Sequence, residues 1–178
     1  MRTAVLVVAG TLLVAGCAGG GGERADAPTP SAGAGTITVT SPAFRDGLPI
    51  PPQYTCKGGG AAPALAWRGV PAGARSVALV VTDPDAPGGT FVHWVLYGLP
   101  PRDGTLDGDQ PPAGSSETDN SGGAKGWTAP CPPGGTHHYH FTVYALSGPP
   151  SGSSTQDVLD SIGGMTVARG EITGTVAG

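Results

Sequence analysis

The feature that most constrains the fold is an apolar run that leads straight into a proline-locked turn. Residues 76–82, SVALVVT, are almost continuously apolar, which is typical of a strand buried on both faces. The next five residues, 83–87, read DPDAP, and each proline fixes its own φ and disfavours helical backbone at the residue before it. The sequence therefore predicts a central strand that ends in two aspartates, Asp83 and Asp85, which have little conformational freedom.

Two other strand patterns carry polar side chains close to turns rich in proline and glycine. One is residues 90–99, which includes His93, and the other is residues 138–146. Alternation at the second pattern predicts a core-facing side made of His137, Tyr139, Phe141 and Val143. The opposite side, with His138 and His140, is expected to face solvent. Polar residues gathered at the ends of strands in this way predict a pocket.

Short strands dominate the rest of the pattern. Residues 36–40 alternate as a first strand would, and residues 64–67 and 166–176 predict two more. The prolines at residues 48–52 exclude a central strand there, because proline cannot donate to the ladder. Residues 106–126 are too poor in hydrophobic residues to predict any element.

One helix is predicted, at residues 155–162. Ser153 and Ser154 precede it as N-cap candidates, and Gly163 and Gly164 are expected to end it. Strands elsewhere and one short helix near the C-terminus make the predicted fold class all-β. A β-sandwich is the architecture that we expect.

The first 17 residues are organised like an export signal. Arg2 supplies a positive charge, and residues 4–14 form an apolar run that is too short to span a bilayer comfortably as a helix. Small residues precede Cys17. This ending resembles the bacterial lipobox, which implies that Cys17 is lipidated and becomes the amino terminus of an exported protein anchored to the membrane of the cell envelope. The alternative is an ordinary signal peptide that is cut at a nearby alanine.

The remaining chain divides into a linker and one domain. Residues 18–35 have almost nothing to bury and predict a flexible linker, and residues 36–178 form the predicted folded domain. The formal net charge is -4 and charged residues make up only 12% of the chain, so we expect no basic surface for nucleic acid.

Several of these motifs, in the same order, resemble the phosphatidylethanolamine-binding protein family, specifically its bacterial branch of Raf-kinase-inhibitor-like proteins. The residues that carry the resemblance are the DPDAP turn at 83–87, His93-Trp94, the PCPP run at 130–133 and His137-His138-Tyr139. The likeness covers roughly residues 37–176. It implies a sandwich of two antiparallel sheets with a small helical element.

The resemblance also implies a small pocket that accepts phosphate or a phospholipid headgroup. It assigns anion contact to His93, His137 and Tyr139, with Asp83 as their orienting partner. Because a carboxylate near a histidine stabilises the imidazolium, we expect Asp83 to lie beside His93. Pro132 and Pro133 would form a wall, and Asp85 would support the site from behind. The expected function is binding without catalysis, with no cofactor and no metal.

Other interpretations of these residues remain open. Aspartates beside proline commonly cap a turn, and His93 alone could be a hydrogen-bonded core residue. Asp83, His93 and His137 could converge on a metal ion. An Asp–His pair also forms two members of a hydrolase triad, although the sequence has no G-x-S-x-G motif. An inhibitor of an envelope protease or other hydrolase, acting on a protein partner, is the main functional alternative.

If Cys17 is lipidated, Cys56 and Cys131 remain as a pair in an oxidising compartment. A disulfide between them would close a loop of 75 residues and contribute about 4.5 kcal/mol by chain-entropy arithmetic. Cytosolic members of the family carry cysteines in the same two motifs, so buried free thiols are the alternative.

Overall fold

The computed structural model describes residues 26–28 and 35–178. The predicted export signal, Cys17 and most of the predicted linker lie outside the described residues. Within the described part no helix is long and apolar enough to cross a bilayer. The described elements are β1 (Gly35–Thr36), β2 (Thr38–Thr40), a 3-10 turn (Pro52–Tyr54), β3 (Leu65–Arg68), β4 (Ser76–Asp83), β5 (Phe91–Leu99), β6 (Gly104–Leu106), β7 (Ser116–Glu117), β8 (Thr136–Leu146), α1 (Thr155–Met165) and β9 (Thr166–Ala177).

The strands form two sheets. The large sheet has the order β1-β9-β8-β4-β5-β7, and the small sheet has the order β2-β3-β6. Every strand pair in the described residues is antiparallel except the short parallel pair of β1 with β9. The predicted all-β sandwich with one short helix is therefore confirmed, with one parallel pair at the edge of the large sheet.

Strand β4 is buried along its whole length, as its apolar run predicts. Val77, Leu79 and Val81 pack in the core that also contains Trp67 of the small sheet. The residues between them face the other way and join a second core, formed with α1 by Ala78, Val80, Val158, Leu159 and Ile162. The large sheet is thus covered on both faces. Its central strand β4 can therefore be apolar at successive residues, because the side chains on both faces are buried.

The first predicted strand is divided between the two sheets. Residues 35–36 pair with β9, whereas residues 38–40 pair with β3. Ile37 lies at the crossing, and its N–H donates to the carbonyl of Arg169 at 2.8 Å. The close approach requires glycine at position 170, because a Cβ there would collide with the carbonyl oxygen of Ile37.

Two sequence predictions are wrong in detail. Helix α1 begins after the N-cap Ser154, whose capping box with Asp157 is complete, but it runs through Gly163 and Gly164 to Met165. Gly163 is buried in this helix, so packing against the sheet outweighs the roughly 1 kcal/mol that glycine costs in a helix.

The predicted featureless loop at residues 106–126 also contains structure. Ser116–Glu117 forms β7 on the edge of the large sheet, and Asp119 bridges to Lys125. The Glu117 carboxylate accepts a 2.6 Å hydrogen bond from the indole N–H of Trp94. The buried indole of Trp94 therefore requires a hydrogen-bond acceptor at position 117. The sequence around residue 117 does not reveal this requirement, because Trp94 is distant in the chain.

Candidate functional site

A cavity of about 290 Å³ opens where β4 ends and β8 begins. Its walls come from the turn after β4, the first residues of β5, the segment before β8, and β8 itself. The lining residues are Asp83, Ala86, Pro87, Phe91, His93, Thr128, Ala129, Cys131, Pro132, Pro133, His137 and Tyr139. The structure therefore brings together the four residues that the sequence assigned to ligand contact or orientation, together with the two prolines of the expected wall.

Strand register explains this convergence. β4 and β8 are antiparallel, and Thr82 pairs with His140, so the next residue of β4, Asp83, lies alongside the start of β8. Alternation along β8 points His137 and Tyr139 toward the inner core, and both side chains are buried. β5, paired on the other side of β4, brings His93 to the same cavity.

The Asp83 carboxylate pairs with His137. Its Oδ2 accepts a 2.7 Å hydrogen bond from Nδ1 of His137, and the two side chains are only 4% and 7% exposed. Its Oδ1 accepts the backbone N–H of Asp85 at 2.9 Å. The expectation that Asp83 orients His93 is therefore wrong, because the strand register brings His137 within hydrogen-bond distance and His93 has another partner. Since Nδ1 of His137 is the donor to Asp83, Nε2 is the nitrogen left to contact a ligand.

His93 is oriented by the backbone instead. Its Nδ1 donates to the carbonyl oxygen of Thr128 at 2.8 Å. Burial lowers the pKa of His93, and this effect is opposed by the hydrogen bond to Thr128 and by the charge of Asp83. The ring contacts Tyr139 edge-on, with 5.2 Å between ring centroids, and lies 4.7 Å from the ring of Phe91. His93 is therefore packed among aromatic side chains, in surroundings that favour its neutral form.

Tyr139 carries the least satisfied polar group of the cavity. Its side chain is completely buried, and among the described residues its hydroxyl makes no hydrogen bond of good geometry, although the Asp83 carboxylate lies near enough to interact with it. Burial raises the pKa of Tyr139, and the negative charge of Asp83 adds to this effect. The hydroxyl therefore stays protonated and available as a donor. An unpaired buried donor costs about 1–3 kcal/mol, which a ligand that accepts its hydrogen bond would recover.

A disulfide supports one wall of the cavity. Cys131 is bonded to Cys56, with 5.4 Å between their Cα atoms. The backbone N–H of Cys56 also donates to the carbonyl of Pro130 at 3.0 Å. The wall formed by Pro132 and Pro133 is thus attached covalently to the segment around residue 56, and the two cysteines are a pair rather than free thiols.

Asp85 lies outside the cavity lining. Its half-exposed carboxylate accepts the backbone N–H of His138 at 2.8 Å and Nδ1 of the same residue at 2.7 Å. These hydrogen bonds lower the pKa of Asp85. Asp85 therefore connects the turn after β4 to the start of β8, and its backbone N–H donates to Asp83, which lines the cavity. His138 has a structural partner that sequence reasoning missed, because the two residues are 53 positions apart.

The cavity offers hydrogen-bond donors and a carboxylate but few nucleophiles. Among its lining residues, only Thr128 and Tyr139 carry a hydroxyl group, and the sulfur of Cys131 belongs to the disulfide. In the part of the chain that the structure describes, no three His, Cys, Asp or Glu residues are grouped as metal ligands would be. The sequence did not predict that Thr128 and Ala129 line the cavity. No local pattern of residue types indicates which loop carbonyl will accept a hydrogen bond from a histidine.

Comparison with known proteins gives matches over the same region. Residues 40–177 match the family model described as phosphatidylethanolamine-binding protein. A Mycobacterium tuberculosis protein that carries the name lipoprotein LppC is 43% identical over 194 residues, covering 97% of this chain and 96% of that protein. A UPF0098 protein of Methanothermobacter thermautotrophicus is 39% identical over 146 residues, covering 78% of this chain and 97% of that protein.

Two solved structures are also similar, each with a TM-score of 0.74. One is a phosphatidylethanolamine-binding protein homologue from Chlamydia trachomatis, 34% identical, with 82% of this chain and 99% of that chain covered. The other is YbcL of E. coli, described as a member of the mammalian PEBP family and 32% identical, with 79% of this chain and 98% of that chain covered.

Proposed function

The chain belongs to the phosphatidylethanolamine-binding protein family, as its motifs predict, and from this premise we propose that it binds phosphate-like anions, in particular phospholipid headgroups, without catalysing a reaction. The observation that carries the proposal is the unpartnered, buried hydroxyl of Tyr139 in a cavity that two histidines also line. A phosphoryl oxygen is an acceptor that suits this donor.

The charge arrangement favours a headgroup over a simple anion. When His137 is protonated, its charge and that of Asp83 cancel, so the pair can approach an anion without net repulsion. A zwitterion such as phosphoethanolamine would direct its phosphate to Tyr139 and His137 and its ammonium group to Asp83, which is the carboxylate among the lining residues. The cavity, at about 290 Å³, is at the small end of ligand sites, so it suits a headgroup and leaves acyl chains outside.

Binding rather than turnover is supported by the lining chemistry. The Asp83–His137 pair would need a nearby nucleophile to act as a triad, and the lining has no serine while Cys131 is in a disulfide. Export and lipid anchoring at Cys17 are part of the same proposal. They are supported by the lipobox-like sequence and by the similarity to a protein named as a lipoprotein.

Calorimetric titration tests the proposal on the chain from Ala18 to Gly178, which contains every described residue. Phosphate and phosphoethanolamine are titrated separately into wild type, His137→Ala and the control His140→Ala. His140 is on the same strand but faces the other side of the sheet, where it pairs with Glu171 at 2.7 Å. We expect saturable binding that His137→Ala abolishes and His140→Ala preserves. If neither compound binds to wild type, a protein-interaction role, such as inhibition of an envelope hydrolase, replaces the proposal.

A further inference from the structure

Three residues of the predicted linker lie against the folded domain. The backbone N–H of Asp26 donates to the side-chain oxygen of Gln156 on α1 at 2.7 Å. Two residues later, Pro28 is buried. This segment of the predicted linker, Asp26–Pro28, which we call the strap, therefore contacts the domain.

The strap covers a groove on the outer face of the large sheet. Ala27 and Pro28 line a cavity of about 220 Å³ together with outward-facing residues of β4, β8 and β9. They include Val80 and Thr82 of β4 and Thr142 and Tyr144 of β8. Because side chains alternate along each strand, this groove and the ligand cavity lie on opposite faces of the same sheet.

We infer that this groove is a docking site for the chain's own strap, which is held there by Pro28 and by the hydrogen bond of Asp26. Proline suits the groove for two reasons: it has no N–H to leave unpaired, and its φ is already fixed, so little backbone entropy is lost on docking. Proline also keeps Ala27 extended, which lets a three-residue segment reach from Gln156 to the groove.

The carboxylate that lines the groove, that of Glu171, already accepts hydrogen bonds, so it does not prevent the apolar ring of Pro28 from binding there. Glu171 at its edge accepts hydrogen bonds of 2.7 Å from Nδ1 of His140 and from the hydroxyl of Thr142. Both carboxylate oxygens are therefore engaged within the sheet. The strap therefore faces a mixed surface, in which Val80 and the ring of Tyr144 supply apolar contact and Thr82 and Thr142 are uncharged. Such a surface accepts a proline ring beside a solvated backbone.

Docking of the strap halves the longest distance that the linker can span between Cys17 and the folded domain. Asp26 lies nine positions after Cys17 in the sequence, whereas Gly35 lies eighteen positions after it. Fully extended, these segments span at most about 30 Å and 60 Å respectively. If Cys17 is lipidated, as proposed above, the docked strap keeps the domain within the shorter distance of the membrane while leaving the ligand cavity uncovered.

Amide hydrogen exchange and nuclear Overhauser contacts, measured on the chain from Ala18 to Gly178, test the docking itself. We expect exchange at the amide of Asp26 to be at least about five-fold slower than in a synthetic peptide of residues 18–34, with contacts between the rings of Pro28 and Tyr144. Pro28→Asp and Gln156→Ala should each remove the protection. The matched control is Asp26→Ala, which keeps the backbone N–H and should retain it.

Two outcomes would overturn the inference. One is exchange at residue 26 as fast in wild type as in the peptide, with no contact to Tyr144. The other is protection that increases with protein concentration, accompanied by contacts between labelled and unlabelled chains, which would mean that the groove takes the strap of a second copy. Neither outcome bears on phosphate binding at His137, so the docking and the proposed function can fail independently.

Discussion

The Oδ2 atom of Asp83 lies 2.7 Å from Nδ1 of His137, and both side chains are buried at the junction of β4 and β8. The hydrogen bond joins two central strands at the edge of the cavity and fixes which ring nitrogen of His137 remains free of Asp83. In such a buried environment the interaction between a carboxylate and an imidazolium is stronger than in water. Asp83 therefore sets the orientation of the His137 ring at the cavity.

Replacing Asp83 with asparagine should weaken the binding of phosphoethanolamine. The neutral amide keeps the size of the side chain but no longer offers a charged acceptor to Nδ1 of His137, and hydrogen bonds to charged groups contribute about 1.5–3 kcal/mol, so we expect at least a ten-fold loss. Titration calorimetry measures it. Asp85→Asn is the matched control, because Asp85 lies outside the cavity lining; equal losses in the two variants would contradict the assigned role of Asp83.

Tyr139→Phe should have opposite effects on stability and on binding. Removing the unpartnered hydroxyl should raise the free energy of unfolding of the unliganded protein by about 1 kcal/mol, because a buried donor no longer lacks a partner. Affinity for phosphoethanolamine should fall about five-fold. Urea unfolding and calorimetry give the two values. Tyr144→Phe, on the other face of the sheet, should leave affinity unchanged, and a stability loss in Tyr139→Phe would indicate that its hydroxyl is paired in solution.

The lowered pKa of His93 predicts a pH-dependent stability. Burial makes the folded state bind a proton less readily than the unfolded state, whose histidine pKa is the ordinary value near 6.5. Stability from this residue is therefore complete above the unfolded pKa and is lost as the pH falls below it. Urea unfolding from pH 7.5 to 5.0 should show a smaller loss in His93→Gln than in wild type. Parallel curves would exclude this contribution.

Anion affinity should fall as the pH rises. A bound anion favours imidazolium over neutral imidazole, and protonation of His93 becomes harder as the pH moves above its lowered pKa. Sulfate is the best probe, because its charge is constant between pH 5 and 8. We expect its affinity to decrease across this range in wild type and to vary less in a double variant, His93→Gln with His137→Gln. Affinity that is flat in wild type would remove the histidines from anion binding.

Removing the disulfide should affect both stability and the ligand cavity. Cys56→Ala with Cys131→Ala releases the 75-residue loop and should lower the free energy of unfolding by about 2–4 kcal/mol. Affinity for phosphoethanolamine should also fall, because the wall that contains Cys131 loses its covalent attachment. Urea unfolding and calorimetry measure the two effects. If affinity is unchanged while stability falls, the wall is held by its proline-rich backbone alone.

Much of the fold follows from local patterns. Two patterns predicted the centre of the large sheet. The continuous apolar run of β4 is typical of a strand buried on both faces, and the alternation of β8 is typical of a strand buried on one face. The failures occurred where tertiary contacts outweigh local preference. Packing carries α1 through Gly163, and a buried indole requires β7 at Glu117.

The sequence predicted which residues line the candidate site but not which of them form hydrogen bonds with one another. Strand ends and turn chemistry identified Asp83, His93, His137 and Tyr139 as neighbours. Which histidine meets the carboxylate depends on the register between β4 and β8, and the partner of His93 is a carbonyl in a loop. Neither is encoded in a local pattern of residue types, because every loop residue carries the same backbone carbonyl.

Alternation along β8 has an evolutionary consequence. His137 and Tyr139 line the ligand cavity, while His140, Thr142 and Tyr144 line the strap groove, so adjacent codons belong to separate functional surfaces. Each surface can acquire substitutions without disturbing the other, and co-variation among homologues is expected at a spacing of two residues rather than one. A one-residue insertion in this strand would exchange the two sets of side chains, so lineages should tolerate replacement here but not a change of length.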